Sequence, residues 1–164
     1  MGYHGIYRGR VAGNLDPNGL GRVQVSVPAV LGEGRMAWAM PCSPYAGNGV
    51  GLFLVPPVDA SVWVAFENGD LDRPIVLGGF WAMGEAPATP ALAQKKVLKT
   101  DAVTLTFDDT SGAGGVTIEV TSPAVAKPVT IKASSSGLEL SVGGSKIVLN
   151  GISVSVNDGA LEVT

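Results

Sequence analysis

The sequence predicts an all-β protein in two parts, a small N-terminal barrel and a C-terminal stack of strands, and three observations lead there. Apolar residues alternate with polar ones at a period of two over many short stretches, and no comparable run carries a helical period. The chain holds 23 Gly and 11 Pro, which punctuate it at short intervals. Only 15% of the residues are charged while 46% are apolar, a balance that excludes a disordered chain.

The first strand is Tyr7 to Val11, YRGRV. Turn residues crowd the NLDPNGLG segment that follows. Gly21 to Val27 is the second strand, with Val23, Val25 and Val27 on one side and Arg22, Gln24 and Ser26 on the other. Met36 to Met40, MAWAM, is the third, ended by Pro41. Gly47-Asn48-Gly49-Val50-Gly51 lacks the Lys-Ser/Thr of a phosphate-binding loop and is read as shaping the connection to the fourth strand. That strand sets Val62, Val64 and Phe66 against Ser61, Trp63 and Ala65. Asn68-Gly69-Asp70 supplies a tight turn, and Pro74, which has no ladder donor, opens the fifth strand, Ile75 to Trp81. Five short strands in the region 1–84 suggest a closed or nearly closed barrel such as an OB-fold.

A Pro- and Ala-rich stretch, EAPATPALAQ at Glu85 to Gln94, begins a linker assigned to residues 85–99, and residues 100–164 form the second part. There Val103, Leu105 and Phe107 alternate with Thr104 and Thr106. The alternation returns at Val116, Ile118 and Val120, at Val129 and Ile131, and at Leu138, Leu140 and Val142. It continues at Ile147 and Leu149, at Ile152, Val154 and Val156, and at Leu161 and Val163. This is an irregular repeat. Phe107 is its one aromatic residue, so a single copy has too little bulk for a core of its own. Three copies could turn these faces to a common axis and leave Thr, Ser, Lys and Glu outside. The alternative is a monomeric antiparallel meander, for which Leu149-Asn150-Gly151-Ile152 and Asn157-Asp158-Gly159 are good turn signals. Such a sheet would expose a broad apolar face.

Chemistry is hard to place on this chain. His4 is the single histidine, in an N-terminus expected to be mobile or docked, and it has no partner for a dyad. Cys42 is also alone and is read as a buried structural thiol. Asp108-Asp109, in FDDTSGAGG, fit turn-capping carboxylates better than acid–base or calcium ligands. Asp70 and Asp72 beside Arg73 read as a solvent-facing turn with a weak ion pair. Tyr7, Trp38 and Trp63 are not interleaved with a basic groove, so packing is their expected role. Up to Lys99 there are 8 Lys and Arg against 7 Asp and Glu, or +1, whereas the remainder has 3 against 7, or −4. The acidic tail argues against nucleic acid as a partner. No stretch has the length of a secretory core or a membrane span, so assembly in the cytoplasm is expected.

The run YRGRV, DPNGLGRVQVSVP, WAMPCSPYAGNGVGLFLVPP and VWVAFENGDLDRPIVLGGFW resembles, in that order, the OB domain of phage baseplate assembly protein V. Related domains occur in central spike proteins of contractile injection systems and in the valine-glycine repeat spike proteins of type VI secretion. KTDAVTLTFDDTSGAGGVTIEV resembles the start of that family's β-helical spike. Asp59-Ala60 stands where the family usually has a Gly-Asp pair, and the His-x-His iron motif of some relatives is missing. The resemblance implies an OB barrel followed by a β-helix or β-prism formed by an intertwined homotrimer, acting without cofactor, metal or catalysis as a spike-hub connector. Its trimer core would be Val103, Leu105, Phe107, Val116, Ile118, Val120, Val129, Ile131, Leu138, Leu140, Val142, Ile147, Leu149, Ile152, Val154 and Val156. Leu161, Val163 and Thr164 would dock a separate tip protein, and the implied partners are baseplate hub or tube proteins, with a target membrane met on firing. The other reading is a nucleic-acid or glycan-binding OB module on an oligomerisation stalk.

Overall fold

A computed structural model describes residues 2–163 and divides the chain into two compact units, Met1–Glu85 and Ala86–Thr164. The first is a closed barrel. Its strands are β1 (Tyr7–Gly13), β2 (Val23–Ser26), β3 (Met36–Pro41), β6 (Ser61–Phe66) and β7 (Pro74–Gly79), in the spatial order β1-β2-β3-β7-β6. Neighbours are antiparallel except β3 and β7, which run parallel with Met40 beside Ile75 and Pro41 beside Val76. Pairing of β1 with β6, from Tyr7 beside Val64 to Arg10 beside Ser61, closes the barrel. A two-strand arm, β4 (Ala46–Gly47) and β5 (Val50–Gly51), stands between β3 and β6, where the sequence placed a glycine-shaped loop.

The period-two pattern of the sequence is the interior of this barrel. Val11, Val25, Val27, Val62 and Val64 are wholly buried, and Val23, Leu31, Ala39, Phe66 and Val76 complete the core. Tyr7 packs on that core, its ring edge-on to Phe66 at 5.6 Å. One helical turn, α1 (Pro28–Leu31), was not expected. It arises because Pro28 presets the first helical φ while Leu31 drops into the barrel. Strand β7 stops at Gly79, two residues short of the expected Trp81.

Two turns lock the barrel. Asp16, in the β1–β2 loop, accepts the N–H groups of Asn18, Leu20 and Arg22 at 3.1, 2.9 and 3.2 Å, and the Arg22 guanidinium at 2.8 Å. The bond to the Arg22 side chain, more than any other contact, holds its carboxyl well below the usual carboxylate range. Between β6 and β7, Asn68 (φ 53°) and Gly69 (φ 75°) turn the chain in the left-handed region. The Tyr3 N–H donates to the Gly69 carbonyl at 3.1 Å, and a Cβ on Gly69 would lie 2.7 Å from that same nitrogen. The N-terminal segment around His4 is therefore docked against this turn. At the departure Asp59-Ala60, Asp59 takes φ 68°, the left-handed geometry that a glycine adopts most easily.

The second unit is one eight-stranded antiparallel sheet. Strands β8 (Lys95–Lys99), β9 (Val103–Asp108), β10 (Gly115–Val120), β11 (Val129–Ser134), β12 (Gly137–Val142), β13 (Ser145–Leu149), β14 (Val154–Val156) and β15 (Leu161–Val163) each pair with their sequence neighbours. In the single chain this is the meander of the alternative reading, not an intertwined β-helix. The expected linker is shorter than 85–99, because Lys95–Lys99 already pairs with β9. Turn chemistry sets the meander. Asp158 (φ 57°) and Gly159 (φ 93°) form the two-residue, positive-φ link that suits strand twist between β14 and β15. A Cβ on Gly137, at the start of β12, would run into the Leu149 carbonyl oxygen of β13.

Candidate assembly interface

Register places nearly every apolar residue of the sheet on one face. Along its centre runs a column with one residue per strand: Leu98, Leu105, Ile118, Ile131, Leu140, Ile147, Val156 and Leu161. Each is directly opposite the next. To one side lie Phe107, Val116, Ala133, Leu138, Leu149 and Val154, and to the other Val103, Val120, Val129 and Val142. The reverse face carries Thr104, Thr106, Thr117, Glu119, Thr130, Lys132, Glu139, Ser141 and Ser155.

This apolar face has no cover. Among the described residues of the second unit none is buried, and Leu140 and Leu149 are 41% and 47% exposed. Near its middle the sheet is dished, with a concavity of about 390 Å³ lined in part by Val129, Ile131, Leu140, Val142, Ile147 and Val156. Charge is kept to the rim and the other side. Lys95 pairs with Asp108 at 3.8 Å, Lys96 with Asp109, and Lys146 with Asp158 at 2.5 Å. Asp108 accepts the Thr110 hydroxyl at 2.6 Å and the Thr110 N–H at 3.0 Å, the turn-capping geometry read from the sequence. Those Thr110 bonds, with Lys95 adding less, lower its pKa.

Fifteen of the sixteen residues assigned to a trimer core share this face, and Ile152 does not. Asn150 Oδ1 accepts the N–H groups of Ile152 and Ser153 at 2.9 and 2.8 Å, which folds Ile152 into the β13–β14 turn, 87% exposed, instead of into a strand. Leu161 continues the central column on β15; the backbone of Val163 pairs with Val154, and Thr164 lies outside the described residues. The sequence reading missed Leu98, which it placed in the linker. Its alternation with Val97 is short and flanked by lysines, so only the register with Leu105 reveals its side.

The barrel offers no catalytic arrangement to set beside this face. Among the described residues no three His, Cys, Asp or Glu side chains gather as a metal site would require. Cys42 is exposed, correcting the expectation of a buried thiol, because the chain leaves the barrel just after β3. The aromatics do have basic companions: Arg8 lies 5.1 Å from the ring centres of both Trp63 and Phe80, and Arg22 lies 5.2 Å from that of Trp38. In each case the guanidinium covers a ring face that a nucleobase would need. No helix is long and apolar enough to cross a membrane among the described residues.

Comparison with known proteins accounts for both units. Residues 7–81 match the model of the type VI secretion system/phage-baseplate injector OB domain. Residues 95–162 match that of the phage baseplate V C-terminal trimerisation domain. The chain is also 34% identical over 104 residues to the type VI secretion system spike protein VgrG3 of Vibrio cholerae serotype O1, a stretch covering 56% of this chain and 10% of that protein. It thus spans about a tenth of the length of this curated relative. With a barrel and a strand-stack domain matched in the order and places where the structure has them, the chain belongs to the phage baseplate V and type VI secretion spike family.

Proposed function

We propose that the protein is a non-enzymatic central spike, or spike-hub connector, of a phage tail-like contractile injection machine. The observation that carries this reading is the eight-residue apolar column on a sheet with no buried residue. Three copies would turn that face to a common threefold axis as the sides of a β-prism, leaving the Thr, Lys and Glu face in water. Each Val, Leu or Ile side chain fully buried there contributes about 1.5–3 kcal/mol. The family's trimerisation domain over residues 95–162 supports the number three.

Stiffness is the working property of such a rod. Eight strands stacked at about 4.8 Å extend roughly 34 Å, and every strand is tied to its neighbours by its own chain's ladder. Bending one sheet would therefore open the apolar axis shared with the other two. The barrel would mount the trimer on baseplate hub or tube proteins. A separate tip protein would sit on the last edge strand, against Leu161 and Val163, and the assembled spike would meet a target membrane when the machine fires.

Light scattering of the purified chain over a dilution series tests the core of this reading. A mass that stays near three times 16.7 kDa supports it. A folded monomer would overturn it and bring forward the OB binding module.

A further inference from the structure

The barrel has a polar flank and an apolar one, and the second is unaccounted for by its core. Outward positions on β1 and β2 are Arg8, Arg10, Gln24 and Ser26. On β3 and β7 they are Met36, Trp38, Met40, Ile75 and Leu77, while Ala39 and Val76 point inward to the core. Parallel pairing sets Met40 beside Ile75. The next outward position after Met40 is Cys42, whose N–H donates to the Val76 carbonyl at 2.9 Å, bringing it alongside Leu77. Met36, Met40 and Leu77 are 56%, 46% and 41% exposed. Strands apolar on both faces are characteristic of sheets covered on both sides, and methionine is common where one surface must fit another.

We infer that this β3–β7 flank is a second contact between copies of the chain, made by the barrels around the same threefold axis, and the inference rests on the trimeric reading above. Two observations favour a second copy as the occupant. The chain leaves the barrel directly from β7, the apolar strand, and only about fifteen residues then precede β8. Three barrels tethered that closely to one trimer face each other at an effective concentration of order millimolar, whereas a foreign partner meets them only during assembly. The flank also carries no charged side chain at Trp38, Met40, Ile75 or Leu77 that three copies meeting at an axis would have to leave unpaired.

Cys42, at the margin of the flank, reports its cover in the full-length protein. Maleimide labelling of Cys42 is expected to be about tenfold slower in the native trimer than in guanidinium-unfolded chain. Met40→Glu, at a half-exposed position that spares the barrel core, is expected to restore fast labelling while the mass by light scattering stays threefold. A trimeric mass with Cys42 labelled as fast as in the unfolded chain would overturn this contact and leave the spike reading standing. A monomeric wild-type mass would overturn both. Slow labelling that persists in a monomeric Leu140→Asp variant would assign the cover to the same chain and overturn the second copy as occupant.

Discussion

In the barrel, five strands curl until Val11, Val25, Val62 and Val64 are sealed from water, whereas the eight strands of the sheet hold the same residue types at the same spacing and leave Ile131 and Ile147 40% and 43% exposed. The alternation is common to both; the difference lies in how each sheet ends. β1 finds β6 and the barrel closes on itself, burying one face without help. β8 and β15 remain edges at opposite ends of a meander, so the other sheet can bury its face only against something else. A strand pattern thus fixes which face is apolar, and closure decides whether that face is a core or an interface.

Substitutions can break this contrast, and the largest effect is expected at the central column. Leu140→Asp or Ile118→Asp would place a charge where three copies meet, at a cost of several kcal/mol for each unpaired ion. Light scattering should show monomer in place of trimer, while the barrel keeps its own fold; a stable trimer in either variant would contradict the inward face. Next comes the barrel itself. Val64→Ala, which removes buried methyl groups, should cost about 2 kcal/mol. The loss of the barrel unfolding midpoint should be the same at every protein concentration, whereas unfolding of the sheet should shift with concentration as an association does.

Acid sharpens the comparison further. The Asp16 pKa is depressed in the folded state, so its contribution is present above the unfolded carboxylate value near pH 4 and is lost as pH falls through the lower folded value. Wild-type barrel should therefore lose stability on acidification over that window, and Asp16→Asn should be weaker at neutral pH yet nearly flat across it, read by denaturant midpoints. An equally steep acid limb in Asp16→Asn would remove Asp16 as the cause. The smallest effect is expected on the reverse face of the sheet: Thr117→Lys should leave the mass unchanged and shift stability by no more than about 0.5 kcal/mol. Dissociation in that variant would mean that the polar face, not the apolar one, is the contact.

Much of this was legible in the residues. The five barrel strands, the turn at Asn68-Gly69 and the face holding Leu105, Ile118 and Leu140 follow from alternation and turn chemistry, which act within a few residues and so are written locally. Ile152 was misplaced because its spacing to Val154 matches a strand, while the Asn150 side chain captures its N–H and makes a turn. Leu98 was missed because a short strand among lysines has little pattern to read.

The sequence by itself determined that the chain is all-β, where it turns, and which side of each strand avoids water. Only the tertiary structure decided that Lys95–Lys99 joins the sheet, that Cys42 emerges into solvent beside Leu77, and that the second half pairs strand by strand as an open meander. Those outcomes depend on register between strands and on whether a sheet's two edges meet, which are long-range pairings that period and turn residues leave free.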